Sequence, residues 1–175
     1  MRPLALFFFS ILLALPVFAQ NNEVAVSYGR INTQSQGNAP ALGVSYARFW
    51  TRSVATRVGG FTGSETLNSD GGEKELRALY ATAEYHFFRG RPVSAHLAGG
   101  GAYFTNRVET AIFVTEKTDS QFTTAVGGGV DLNFSPRVAF GVEALYMPFQ
   151  WNEDGDRFQV KLDPLTILGS VRYRW

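Results

Sequence analysis

Period-two alternation is the feature that most narrows what this chain can become. In eight separate segments apolar residues fall on one side and small or polar residues on the other. The first covers 23–32, with Val24, Val26 and Tyr28 on one face and Ala25, Ser27 and Gly29 on the other. The others cover 40–50, 54–63, 74–88, 93–104, 120–133, 138–149 and 159–175. Successive side chains of a strand point to opposite faces, so the pattern predicts strands whose two faces meet different surroundings. Helical spacing is hard to find. After residue 19 no apolar run reaches the roughly 18 residues of a spanning helix.

The connections alternate in length. Residues 51–53, 90–92 and 134–136 are tight turns, whereas 33–39, 64–73, 105–119 and 150–158 are longer and polar. Tight turns join antiparallel neighbours, and an even strand number returns both chain ends to one side. The expected fold is all-β: a single, eight-stranded antiparallel up-and-down barrel over residues 20–175. Residues 1–19 are set apart. Arg2, the apolar run 4–15 and the small or compact residues before Gln20 form the pattern of a cleaved secretory signal peptide.

Alternation does not say which face meets water, but two features do. The non-apolar face carries Gly, Ala, Ser and Thr, with sparse charges at Arg57, Glu84, Asp131, Glu143 and Arg172. Small residues and paired charges suit the inside of a narrow closed barrel better than a water-covered exterior. The chain has only three lysines, Lys74, Lys117 and Lys161, where a soluble β-protein would coat itself with them. The apolar face therefore points to hydrocarbon, and in lipid only a closed sheet leaves no unpaired backbone edge. Aromatics near the strand ends fit two interfacial belts: Trp50, Phe87, Phe134, Tyr173 and Trp175 by the tight turns, and Tyr146, Phe149 and Trp151 toward the long connections. Arg48 departs from the pattern, because its parity points to lipid; snorkelling or a bulge would accommodate it.

The second feature is the C-terminus, Val171-Arg172-Tyr173-Arg174-Trp175. Alternate apolar residues ending in an aromatic resemble the last strand of outer-membrane proteins. The mature chain as a whole resembles the small barrels of the OmpA-domain and OmpX type, in the broad outer-membrane β-barrel, porin-like family. That resemblance implies a Gram-negative outer membrane, with short turns in the periplasm and long loops at the cell surface. It also implies Val171, Tyr173 and Trp175 as a signal read by the barrel-assembly machinery, and outer-membrane lipids as surroundings.

Candidate chemistry is sparse. The chain has no cysteine, which removes disulfides, zinc–thiolate sites and thiol nucleophiles. Without Arg2 the formal charge is about zero, which argues against nucleic-acid partners. The lumen charges Arg57, Glu84, Asp131, Glu143 and Arg172 are expected to form a network that fills the interior rather than an ion track, so that Arg172→Leu would lower stability more than it alters conductance. If 90–92 closes a three-residue hairpin, His86 falls opposite His96, near Glu84. Such a set could ligate a transition metal, but a polar lumen pair is the simpler reading, and neither metal nor cofactor is expected. Both histidines lie far from the long loops, where an outer-membrane lipid-modifying enzyme would need its base. Glu153, Asp154 and Asp156 form only a solvated loop cluster. The strand-like run 108–115 within 105–119 could extend its hairpin beyond the membrane and present an edge to a surface ligand. The expected function is a non-enzymatic structural or surface-interaction role. The alternatives are a lipid-modifying enzyme and a narrow porin-like channel.

Overall fold

The computed structural model describes residues 21–33, 37–66, 73–110, 115–153, 158–162 and 165–175. The proposed signal segment 1–19 lies outside these residues. Ten strands are described: β1 (Asn22–Thr33), β2 (Gly37–Phe49), β3 (Val54–Thr66), β4 (Glu73–Phe87), β5 (Val93–Thr110), β6 (Thr115–Asn133), β7 (Val138–Tyr146), β8 (Phe149–Glu153), β9 (Phe158–Leu162) and β10 (Leu165–Arg174). Eight of them form a closed antiparallel barrel in the order β1-β10-β7-β6-β5-β4-β3-β2. Closure comes from β1 and β10, which pair from Glu23 opposite Arg174 to Asn32 opposite Leu165. No membrane-spanning helix is found among the described residues.

The faces follow the alternation. Val26, Tyr28, Leu42, Val44, Leu79, Leu97, Phe122 and Val142 lie exposed on the outer wall, while Ala25, Ala41, Ala47, Ala55, Ala102 and Ala139 are buried. The interior differs from expectation in one respect. Its loop-side half is an apolar plug built from Ile31, Phe61, Leu76, Phe104, Leu145, Met147 and Leu168. An eight-stranded lumen has room for side chains but little for water, so inward apolar residues lose nothing by burial there.

The tight turns lie where the sequence places them. At two of them one hydroxyl does the same work: Thr51 Oγ1 accepts from the Ser53 and Val54 amides at 3.2 and 3.0 Å, and Ser135 Oγ from Arg137 and Val138 at 3.2 and 3.0 Å. The remaining turn uses left-handed backbone at Phe88 (φ 58°) and Gly90 (φ 87°). A glycine tolerates that conformation without cost, whereas phenylalanine does not.

The long connections are a correction to the expected boundaries. Several continue the ladders: Thr33 pairs with Gly37, Thr66 with Glu73, and Thr110 with Thr115. The expected strand 138–149 ends at Tyr146, ahead of Pro148, which has no amide hydrogen to continue a ladder. The expected strand 159–175 divides into β9, which pairs with β8 in a separate two-stranded sheet, and β10. No bulge occurs at Arg48, which stays in register with Asn22 and Thr56. Its guanidinium instead lies 5.1 Å from the centre of the Trp50 ring.

A strand crosses a membrane in about 9–11 residues. β5 and β6 have 18 and 19 residues. At about 3.3 Å per residue and a tilt near 45°, β5 rises about 42 Å, against an apolar band about 25 Å tall. The β5–β6 hairpin therefore stands clear of the barrel at the loop end. The β6–β7 ladder begins only at Val126. From Thr115 to Ser120 the outer edge of β6 has no strand partner among the described residues, and farther down the Thr123 hydroxyl donates to the Pro148 carbonyl.

Candidate functional site

Inward parity on six strands brings the charged residues to one level, in the turn-side half of the lumen. Arg57 is 1% exposed and Arg172 fully enclosed, and around them Glu84, Asp131 and Glu143 are all buried. Arg57 Nε donates to Glu84 Oε1 at 2.5 Å, and its Nη1 to Ser45 Oγ at 2.9 Å. Arg172 lies 3.0 Å from Glu143 and 3.3 Å from Asp131, and also donates to Ser170 at 3.1 Å. The five residues singled out from the sequence thus form two clusters.

Two further residues join the clusters and were not singled out. Glu23, on β1, accepts from Arg57 at 2.9 Å and from Arg174 at 2.6 Å, and lies 3.5 Å from Arg172. Arg174 also donates to Asn133 Oδ1 at 2.6 Å. Their parity with Ala25 and Arg172 was the available signal. The assembled set holds four carboxylates and three guanidiniums. Buried charges of this kind are tolerated only when mutually paired, and the arrangement lies in the lumen beneath the apolar cluster.

The histidines complete it. His86 pairs directly with His96 across β4 and β5, and their rings stack at 5.1 Å. His86 Nε2 is 2.9 Å from Glu84. His96 lies 3.7 Å from Glu143 and 3.9 Å from Asp131, and among the described residues neither ring nitrogen has a hydrogen-bond partner of normal length. Its opposite number is Gly129, where a Cβ would lie 2.7 Å from the imidazole, so the glycine makes room for the ring. Ligand atoms of His86, His96 and Asp131 lie within 4.8 Å of one another, close enough to surround a metal ion. The third ligand is Asp131 rather than Glu84, and Asp131 already faces Arg172 and Arg174, whose charges oppose a cation. Phe49 closes the lumen on the turn side, 4.9 Å from His86, with the Arg89 guanidinium 3.5 Å from its ring centre.

The remaining expected site residues are dispersed. Val171, Tyr173 and Trp175 point outward from β10, with Tyr173 and Trp175 stacked at 6.1 Å. Glu153 ends β8, and Asp154 and Asp156 lie outside the described residues, as does 111–114 of the 105–119 hairpin.

Several solved structures share this architecture. Ail of Yersinia pestis, solved in complex with the heparin analogue sucrose octasulfate, aligns at a TM-score of 0.63 and 13% identity over 90% of this chain and 100% of its own. Neisserial surface protein A aligns at 0.65 and 14% identity over 89% and 97%. OprG of Pseudomonas aeruginosa aligns at 0.62 and 10% identity over 90% and 97%. No curated protein matches the chain. The profile of the outer membrane protein beta-barrel domain matches residues 5–174, nearly the whole sequence, and the chain belongs to that family.

Proposed function

We propose that this protein is a non-enzymatic surface barrel of the outer membrane whose β5–β6 hairpin receives a partner. One observation carries the reading: the edge of β6 from Thr115 to Ser120, with which no described strand pairs and which stands beyond the membrane. A strand edge outside any described ladder is a template for an added strand. In this reading residues 1–19 direct export, residues 20–175 form the mature barrel, and the assembly machinery reads Val171, Tyr173 and Trp175.

What supports a non-catalytic role is the placement of the titratable groups. His86 and His96 are enclosed in the lumen at the end away from the long connections, and the buried carboxylates are engaged by arginine. A pore is disfavoured by the two stacked plugs, one apolar and one ionic. The ligand of Ail does not transfer readily. Eleven of the fifteen acidic residues lie in or beside the four long connections, against seven of the sixteen basic ones. A net-negative surface repels a polysulfate, so the hairpin edge suits a strand-donating protein better.

Cells displaying the full-length protein should bind protein-coated surfaces more strongly than cells displaying a variant lacking 109–115. Equal adhesion at equal surface display would overturn the reading. Unchanged lipid A mass spectra with and without the protein, and closed traces in planar bilayers, are the expected results for the enzyme and channel alternatives.

A further inference from the structure

The charge of this barrel is sorted along its axis. Four of the fifteen acidic residues are the lumen carboxylates, and the other eleven lie toward the long connections. No acidic side chain occurs within the three tight turns, all of which are described, and Asp131, three residues before the last of them, is buried in the lumen. Five basic residues sit in or beside these turns: Arg48, Arg52, Arg89, Arg91 and Arg137. All five are arginine, whereas all three lysines of the chain lie at the opposite end. Generic attraction to solvent would be served by either residue. Arginine alone presents a planar fork that grips an oxyanion through two parallel hydrogen bonds.

The turn end also has a shape to match. An open bowl of about 780 Å³ is sunk into it, lined by Arg52, Arg89, Arg91 and Arg174 together with Asn21 and Asn133. Its floor is fixed. Arg174 is held by Glu23 and Asn133, each at 2.6 Å, and Arg89 lies against Phe49. Asn133 is itself held, donating to the Arg91 carbonyl at 2.7 Å. Its rim carries the exposed Arg52 and Arg91. Arg89 is half-buried, and both that burial and the facing charge of Arg174 pull its pKa below the ordinary arginine value. Glu23 offsets part of this charge through Arg174, and the like charges that remain in a concave, partly desolvated place are relieved by an anion. Exposed Trp50, Phe88 and Phe134 beside these turns set the bowl at the level of a membrane interface.

From this arrangement we infer that the periplasmic mouth of the barrel is a binding site for phosphate-class oxyanions, supplied by a soluble phosphate or by a phospholipid headgroup of the inner leaflet. Arg89 and Arg174 form its base, and Arg52 and Arg91 close over the ligand.

The test uses the folded protein in nanodiscs of neutral phosphatidylcholine, titrated with inorganic pyrophosphate and followed by calorimetry. Wild-type protein should bind saturably, and so should Arg77→Gln, a control at the loop end. The double variant Arg52→Gln/Arg91→Gln changes only exposed turn residues, and should bind at least tenfold more weakly while keeping its unfolding midpoint. The pair Arg52→Lys/Arg91→Lys keeps the charge without the fork and should fall well short of wild type. A second arm repeats the titration in nanodiscs containing phosphatidylglycerol at equal ionic strength. Binding weakened more there than in discs given the same negative charge by a fatty acid identifies lipid phosphate as the occupant, and equal binding in the two identifies a soluble anion; both sustain the site. No saturable binding by the wild type in neutral discs, or equal binding by the Gln double variant, would overturn it.

Discussion

Replacing Arg172 with leucine removes the one guanidinium that three carboxylates share. The consequences for those three are unequal. Glu23 keeps Arg57 at 2.9 Å and Arg174 at 2.6 Å, and Asp131 keeps Arg174 at 3.8 Å. Glu143 loses its contact at 3.0 Å and retains only the His96 ring at 3.7 Å among the contacts described. Breaking a buried ion pair by removing one partner costs about 3–5 kcal/mol, because the remaining charge is left enclosed and unpaired. At about 1.4 kcal/mol per decade, that is a fall of two to nearly four decades in the folding equilibrium constant. Adding Glu143→Gln removes the orphaned charge, so the double variant should recover roughly half the loss or more. Equilibrium unfolding in lipid vesicles, followed by the fluorescence of the three tryptophans, measures both variants, and bilayer conductance is recorded alongside. A loss under about 1 kcal/mol, or a double variant no more stable than the single one, would refute the pairing logic. An altered ion current at unchanged stability would show the network to be a conduction path.

Gly129→Ala should destabilise by about 1–3 kcal/mol through overpacking, because its Cβ would lie 2.5 Å from the Val142 carbonyl oxygen and 2.7 Å from His96; an unchanged unfolding midpoint would contradict the fit. Phe49→Ala should cost about 3–5 kcal/mol by uncovering His86 at the turn side, with bilayer traces still closed because both plugs remain; a current through this variant would make Phe49 the seal. Zinc should leave thermal unfolding unmoved, since Arg172 and Arg174 oppose a cation at Asp131; a rise of several degrees would make His86, His96 and Asp131 a metal centre. Trp175→Ala should lower the folded protein recovered from the outer membrane while leaving unfolding of purified protein nearly unchanged, and equal recovery would remove the C-terminal residues from assembly.

Within the membrane the sequence carries nearly all of the architecture. A strand passing between hydrocarbon and a narrow lumen must alternate, and that requirement wrote the eight barrel strands, their faces and the tight turns into local pattern. Even the opposition of His86 and His96 follows from counting outward from a three-residue turn. Beyond the membrane the requirement lapses. Both faces meet water there, so the continuation of β5 to Thr110 is marked only by the strand-like run 108–115, and nothing in the pattern marks the separate β8–β9 sheet.

The lumen divides in the same way. Parity shows that Glu23 and Arg174 point inward, but not that they meet. They lie 151 positions apart and touch only because β1 and β10 close the barrel. The alternation likewise assigns Ile31, Phe61 and Phe104 to the interior without showing that they gather into a plug above the charges. Side-chain direction is a local property, set by one strand and its surroundings. Partnership across a lumen depends on the register of every strand around the ring, and the chain acquires that only when its first and last strands pair.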